Sequence, residues 1–372
     1  MNKVLGICNL HDTPSLGLLT QNRPLGALSF LSRYGLMDFT LSNYSNSGID
    51  QIVILTEKNA TAVLSHTQQG NVWINNTKVG FLRIAENEKM LEAPKFNTDI
   101  ANMEAHRSIL EETKPDYIIV APTFFLMSFD FRKLIEFHEE QGAQITCLYT
   151  TTTRGKKEYL NCDSLEIANN HVITNSKANT GETNKQNISL ETFIFTRQAF
   201  EEVMAMSHQV SSMYGFRKMI SFCINHRRMP VHAYKFEGYV VPILSGEDYV
   251  NRSFDLLSYE NRQKLFLEDW PIYTTTHNTP PALYGKNAKV KNSFVANGAI
   301  IKGSVENSII SRDVVIEDGA EIKNCILLSR TFISKDTKME YVLCDKDVKV
   351  METKSLKGTK NKVLIIKQGD LV

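Results

Sequence analysis

From Pro281 onward the apolar residues of this chain return every six positions. Ile310, Ile316, Ile322 and Leu328 make one column, Val314, Ala320, Ile326 and Phe332 a second, and Val295 with Ile301 and Ile333 with Met339 continue the spacing with slips. A helix returns its apolar face at about 3.6 residues and a hairpin strand at 2, so neither explains the period. A parallel β-helix does: each hexad forms one face of a triangular coil and turns an aliphatic side chain inward, and stacked turns bury one another. An irregular β-sandwich is the alternative, and two columns in register argue against it. Lys357 to Val372, with the run Val363–Ile366, is expected to cap the coil.

Ahead of the coil the pattern alternates. Gln51–Leu55, Asp116–Val120 and Gln144–Tyr149 are continuous β-rich apolar runs, as expected of strands covered on both faces. Helical spacing fills Asp99–Glu112 and Phe131–Gln141, the second stopped by Gly142. Such alternation predicts an α/β domain with a Rossmann-like, doubly wound, mostly parallel sheet. Phe193–Phe195 and Val231–Phe236 add strands of open direction, and Ala168–His171 reads as a hairpin turn. The polar stretch from Thr174 to Asn187 reads as irregular. Tyr249–Glu268 reads as one helix, and Trp270-Pro271 with Pro280-Pro281 marks a linker. The expected domains are therefore 1–268, a linker at 269–284, and a coil at 285–372.

In such a domain, ligands bind beyond the carboxyl ends of the strands, so the turn after the first strand faces the crevice. Here Val4–Cys8 is that strand and Met37–Ser47, closed by Gly48, is the helix after it. A phosphate-handling turn would carry early glycines and a cation. This one reads Asn9-Leu10-His11-Asp12-Thr13-Pro14-Ser15, with no glycine before Gly17 and no Lys or Arg before Arg23.

Global charge excludes some roles. Lys plus Arg number 42 against 41 for Asp plus Glu, so no net field draws in nucleic acid or an anionic membrane. The six cysteines are scattered and form no C-x-x-C pair, which suits reduced core thiols rather than a disulfide frame or zinc site. No metal-ligand spacing joins the nine histidines, and no apolar run is long enough to span a bilayer. A cytoplasmic address is the expectation.

The run Asp38-Phe-Thr-Leu41-Ser-Asn-Tyr-Ser-Asn-Ser47-Gly-Ile49, with Leu134-Ile135-Glu-Phe-His138, Phe236-Glu-Gly-Tyr239 and the hexads after Pro281, resembles the bacterial glucose-1-phosphate adenylyltransferase family. The resemblance covers almost the whole chain and implies that the coil is a left-handed β-helix. It also implies the family's chemistry, in which ATP and glucose 1-phosphate give ADP-glucose and diphosphate. That chemistry uses a G-G-x-G-x-R-L loop, a Lys-Pro pair, a G-D-H triplet, an E-K-P sugar contact and a second Asp in G-Y-W-x-D-V-G. The glycines let backbone N–H groups approach the triphosphate, the cations balance its charge, and the two Asp hold Mg²⁺ at the α-phosphate.

Counted from Asp38, the glycine loop falls on Leu10, His11, Asp12 and Thr13, its Arg on Ser15, and the Lys-Pro pair on Leu25-Gly26. Counted from Leu134, the G-D-H triplet falls on Thr123-Phe124-Phe125, so the first metal carboxylate is Phe124; counted from Phe236, the second is Pro242. The E-K-P contact falls on Ala178-Asn179-Thr180. Losing about 4 kcal/mol of transition-state stabilisation already slows a reaction roughly a thousandfold, and here several parts are missing together. No catalytic residue and no metal or cofactor is expected on this chain. The resemblance then points to the non-catalytic D-type subunit of glycogen synthesis. Such a chain modulates a catalytic partner that carries the Mg²⁺, in a hetero-oligomer expected to be a tetramer. Phe124 and Phe125 are expected to plug the old cleft rather than stack a base, and His11 and Asp12 to sit in a surface loop rather than act as an acid–base pair. Arg23, Arg33 and Arg330 are the candidate site for a phosphorylated effector. Two other readings stay open: an active enzyme whose metal is held by Asp116 or Asp130, and a free-standing sugar-phosphate or nucleotide sensor.

Overall fold

The computed structural model describes residues 2–372. The α/β domain runs β1 (Val4–Leu10), a small hairpin β2 (Ser29–Phe30) and β3 (Tyr34–Gly35), α1 (Met37–Asn46), β4 (Gln51–Thr56), α2 (Ala60–Thr67), β5 (Phe81–Glu86), α3 (Asp99–Ala105), α4 (Ser108–Thr113), β6 (Tyr117–Pro122), β7 (Phe125–Leu126), α5 (Phe131–Glu140) and β8 (Ile145–Thr152). It continues through β9 (Asp163–Ile167), β10 (Ile173–Ala178), β11 (Gln186–Thr196), α6 (Arg197–Val210), α7 (Phe216–Asn225), β12 (Val231–Lys235), β13 (Val241–Pro242), α8 (Gly246–Asp255) and α9 (Tyr259–Leu265). The main sheet has the order β10-β9-β11-β6-β1-β4-β5, with β8 branching from β11 and β12 pairing with β8. β1 lies between β4 and β6 with all three parallel, while β11 runs antiparallel to both β6 and β8 and β12 parallel to β8. Those pairings give the directions that local pattern leaves open.

The helix limits follow from their caps. Gly48 and Gly142, both at positive φ, stop α1 and α5, and the Asp130 carboxylate accepts the N–H of Arg132 at the start of α5. The helix expected over Asp99–Glu112 is instead two. The N–H of His106 is shared between the carbonyls of Asn102 and Met103 and that of Arg107 turns to Glu104, a tightening that ends α3. The helix expected over Tyr249–Glu268 is also two, and it begins earlier. Ser245 accepts the N–H of Asp248 while the Asp248 carboxylate accepts the N–H of Leu244, a reciprocal cap readable in Ser245-Gly-Glu-Asp248. Thr174–Asn187 is not irregular: β10 and the start of β11 occupy it. The Asn179 amide organises the turn between them, donating to the carbonyls of Gly155 and Tyr159 and accepting from Gly181 N and Gln186 Nε2. Composition marks the stretch as polar, but only contacts distant in sequence supply its partners.

After the α/β domain the chain lies along α1 as a strap. Trp270 Nε1 donates to Asn43, the N–H of Tyr273 to Ser42 Oγ, and Thr275 Oγ1 to the carbonyl of His66. From Leu283 fifteen short strands build a left-handed β-helix of three parallel five-stranded sheets. Its middle coils are seventeen residues long, as in Val315 with Phe332, Glu321 with Lys338 and Ile326 with Leu343. One face per turn is thus a residue shorter than a hexad, which corrects both columns. Leu327, not Leu328, follows Ile322 into the coil interior, and Cys325, not Ile326, follows Ala320. Leu328 and Ile326, with Ile309 and Leu343, point the other way, into a core they share with α1, Phe124 and Tyr249. The final strand, Leu364–Ile366, pairs with Val342–Cys344 and closes the stack.

Candidate functional site

The crevice lies where β1 and β6 end. Beyond β6, β7 pairs antiparallel with β13, so that Pro242 stands opposite Phe125 and the N–H of Ile243 donates to the carbonyl of Phe124 at 2.8 Å. Two positions far apart in sequence, Phe124 and Pro242, are thereby neighbours. Both are buried, and the Phe124 ring packs on Phe125 with centroids 4.8 Å apart. What space remains between Phe124, Asn9, Asp12 and Phe216 is about 10 Å³, the room of a single water at most.

Polar groups close this space from the other side. Asp99 at the start of α3 is buried, and its carboxylate accepts from Asn9 Nδ2 at 2.7 Å, Phe216 N at 2.9 Å and Ile100 N at 2.8 Å. Burial, with Asp12 nearby, pushes its pKa up to about 6. Glu191 sits in a bulge of β11 at a positive φ of 50°, and its carboxylate meets Arg217 at 3.1 Å. Arg217 also binds Asp163 at 2.9 Å. Burial pushes Glu191 up to about 8, with Arg217 opposing. Asp99, Glu191 and Arg217 escape a motif reading; the one hint is a charged residue between Leu190 and Phe193 in an apolar strand.

The residues of the first turn fare differently from one another. Leu10 and Leu25 are buried apolar side chains that pack in the shared core, whereas Thr13 is half-buried and Ser15 exposed. His11 is not a surface-loop residue. Its ring meets the carbonyl of Asn97 at 3.2 Å and the amide of Asn102 at 3.0 Å, and burial draws its pKa down to about 4. Asp12 beside it is exposed at positive φ. The two do not act on one atom.

The arginine candidates also separate. Arg23 is buried and places one guanidinium nitrogen 2.8 and 2.7 Å from the two oxygens of Asp345 on the coil, with Gln368 at 3.0 Å. It joins the domains through one terminal nitrogen, and the other, Nη1, has no partner among the described residues. Arg330 is exposed and paired with Asp347 at 2.6 and 2.9 Å. Arg33 is exposed, lies over Tyr34 at 5.3 Å, and has no carboxylate partner among the described residues. It lies close enough to Arg312 of the coil that burial and Arg33 together lower the pKa of Arg312. Burial lowers His277 too, with Arg312 and His66 adding to it, and burial with Arg23 brings Lys346 down to about 8. Asp38 and Asp313 oppose this at Arg312, and Asp345 and Asp347 at Lys346, so the junction gathers charges of both signs.

Residues 16–159 match the nucleotidyl transferase family, and residues 280–360 match the GlmU-like C-terminal hexapeptide family. The chain is 26% identical over 372 aligned residues to the glycogen biosynthesis protein GlgD of Bacillus subtilis (strain 168), covering 99% of this chain and 96% of that one. It is 29% identical over 329 residues to the glucose-1-phosphate adenylyltransferase of Fervidobacterium nodosum, covering 87% and 78%. Along nearly its whole length the chain is thus similar to glucose-1-phosphate adenylyltransferases and to GlgD. The glucose-1-phosphate adenylyltransferase of Clostridium perfringens (strain 13 / Type A) is 25% identical to it over 322 residues.

Set against the family's Mg²⁺ site, the residues here do not fit the ion. A phenyl ring and a pyrrolidine ring offer no oxygen donor. The nearby carboxylates of Asp99 and Glu191 are already held by N–H donors and by Arg217. Asp116 accepts the N–H of Lys3 at 2.7 Å, at the start of β6, and Asp130 caps α5 in an ion pair with Arg132. Neither reaches Phe124, so no metal-assisted step is derived.

Proposed function

We propose that this chain is a regulatory, catalytically silent subunit of glucose-1-phosphate adenylyltransferase in glycogen synthesis, working in the cytoplasm beside an active chain. The observation that carries the reading is the crevice itself. Its two metal-ligand positions are Phe124 and Pro242, adjacent and buried, and the cavity beside them is about 10 Å³. A metal-bound phosphate has no room between those two positions, although a separate cavity of about 210 Å³ lies beside Leu10, Thr13, Ser15 and Leu25. The β-helix and the α/β domain share a core, so a signal received at their junction can reach the surfaces that contact a partner. Arg33 with Arg312 is the junction site we assign to a phosphorylated effector, arginine being suited to phosphate by its planar fork; Mg²⁺ and ATP act on the partner chain.

The test is ADP-glucose synthesis by this chain alone, by the catalytic chain alone, and by the mixture. Faster turnover or a stronger effector response in the mixture supports the proposal. Turnover by this chain alone at ordinary enzymatic rates, roughly 1 per second or more, overturns it.

A further inference from the structure

A cleft of about 950 Å³ opens away from the filled crevice, between α5, the edge strand β12 and the turn at 267–270. Its size is at the upper end of the roughly 300–1,000 Å³ of small-molecule sites. Six aromatic side chains line it: Phe129, Phe137, Tyr149, Tyr234, Phe236 and Trp270. Tyr234 on β12 and Phe236 just past its end stand two residues apart along an extended backbone, so they share a face. The rings are braced from behind. Phe137 meets Tyr234 with centroids 5.2 Å apart, Phe129 meets Phe236 at 5.4 Å, and Trp270 is held by its 2.8 Å hydrogen bond to Asn43. Apart from the buried Phe129 the rings are half-buried, which makes a preformed, partly exposed aromatic platform.

The rim decides the ligand's charge. Asp130, Glu237, Glu268 and Asp269 face Lys133 and Lys235, and the Arg132 guanidinium lies 5.8 Å from the Trp270 ring centroid. Asp130 is paired with Arg132 and Lys235 with Glu237, which leaves Glu268 and Asp269 without a cation among the described residues. Phosphate groups are repelled from such a rim. A protein surface seated here would strip two carboxylates of water, whereas a ligand rich in hydroxyls brings its own donors. We infer that this cleft binds a neutral oligosaccharide, whose pyranose C–H faces lie on Tyr234, Phe236 and Trp270 and whose hydroxyls donate to Glu268 and Asp269. The negative π faces suit the partly positive C–H groups. This site is separate from the crevice and does not depend on the chain's being silent.

The chain has two tryptophans, and Trp73 is fully buried away from the cleft, so a change in intrinsic fluorescence that is lost in Trp270→Phe reports on Trp270. Maltoheptaose titrated into the full chain should give a saturable change with a Kd of about 1 mM or tighter. Tyr234→Ala should weaken binding about tenfold. Glu268→Gln with Asp269→Asn, both at exposed positions where folding is unaffected, should weaken it about fivefold. Absence of a saturable change at about 10 mM, confirmed by calorimetry, overturns the inference. So does competition by ATP or glucose 1-phosphate, or a Trp270 signal that responds to the catalytic chain and not to sugar.

Discussion

Replacing Asp345 by Ala should weaken the joint between the two domains more than any surface change. Arg23 and Asp345 are 322 positions apart in sequence, yet their side chains are only 5% and 2% exposed and 2.7 Å apart. Removing the carboxylate leaves a guanidinium buried without its counter-charge, which costs about 3–5 kcal/mol. The pair is itself imperfectly satisfied. One nitrogen serves both carboxylate oxygens, and the other terminal nitrogen, Nη1, has no partner. Its worth relative to an apolar pair is therefore small, and Arg23→Met with Asp345→Leu should stay within about 1 kcal/mol of the parent. With an unfolding entropy of about 2 cal/mol/K per residue over 372 residues, the single variant should melt about 4–6 °C lower. Calorimetry on the three proteins measures this directly. A drop below about 1 °C in Asp345→Ala, or a double variant as unstable as the single, would refute the reasoning.

Restoring the two carboxylates by Phe124→Asp and Pro242→Asp should not produce ADP-glucose synthesis, because Leu10–Thr13 and Leu25 still lack the phosphate contacts; it should destabilise the fold by about 3–5 kcal/mol, read by urea unfolding. Glu191, raised to about 8 in the folded state against an ordinary 4.5, binds a proton that the unfolded chain has released. Its contribution to stability is therefore present below the unfolded pKa and falls as pH rises from 4.5 to 8. Above the ordinary His value of 6.5, neither His11 nor Asp99 opposes that trend. Glu191→Gln should remove a slope of up to about 1.4 kcal/mol per pH unit between pH 6.5 and 8 in denaturant titrations; an unchanged slope counts against the burial described. Arg33→Ala with Arg312→Ala should abolish the effector response of the mixed enzyme while leaving its basal rate and melting temperature within error, checked by activation curves and calorimetry. Leu343→Ala, in the core shared by the domains, should cost about 2–5 kcal/mol and lower the unfolding midpoint.

Much of this molecule is legible in the chain. Period six demands a coil because no other backbone geometry turns an aliphatic side chain inward at that interval, and continuous apolar runs such as Gln51–Leu55 demand strands covered on both sides. The run from Asp38 to Ile49 carries the family resemblance, and the lack of a glycine from Asn9 to Leu16 and of a Lys or Arg from Asn9 to Asn22 sets this turn apart from a phosphate loop without any coordinates. Local pattern carries these conclusions because each rests on residues a few positions apart. The remainder depends on contacts that span the chain. Only the fold places Phe124 against Pro242, brings Glu191 and Arg217 into the emptied cleft, and turns Arg23 from a free cation into a buried clamp on Asp345. The seventeen-residue coil likewise sends Ile326 and Leu328 outward to a second domain, although their hexad spacing would keep them inside. A side chain's chemistry is written in its name, but its charge state and its partner depend on what the rest of the chain packs around it.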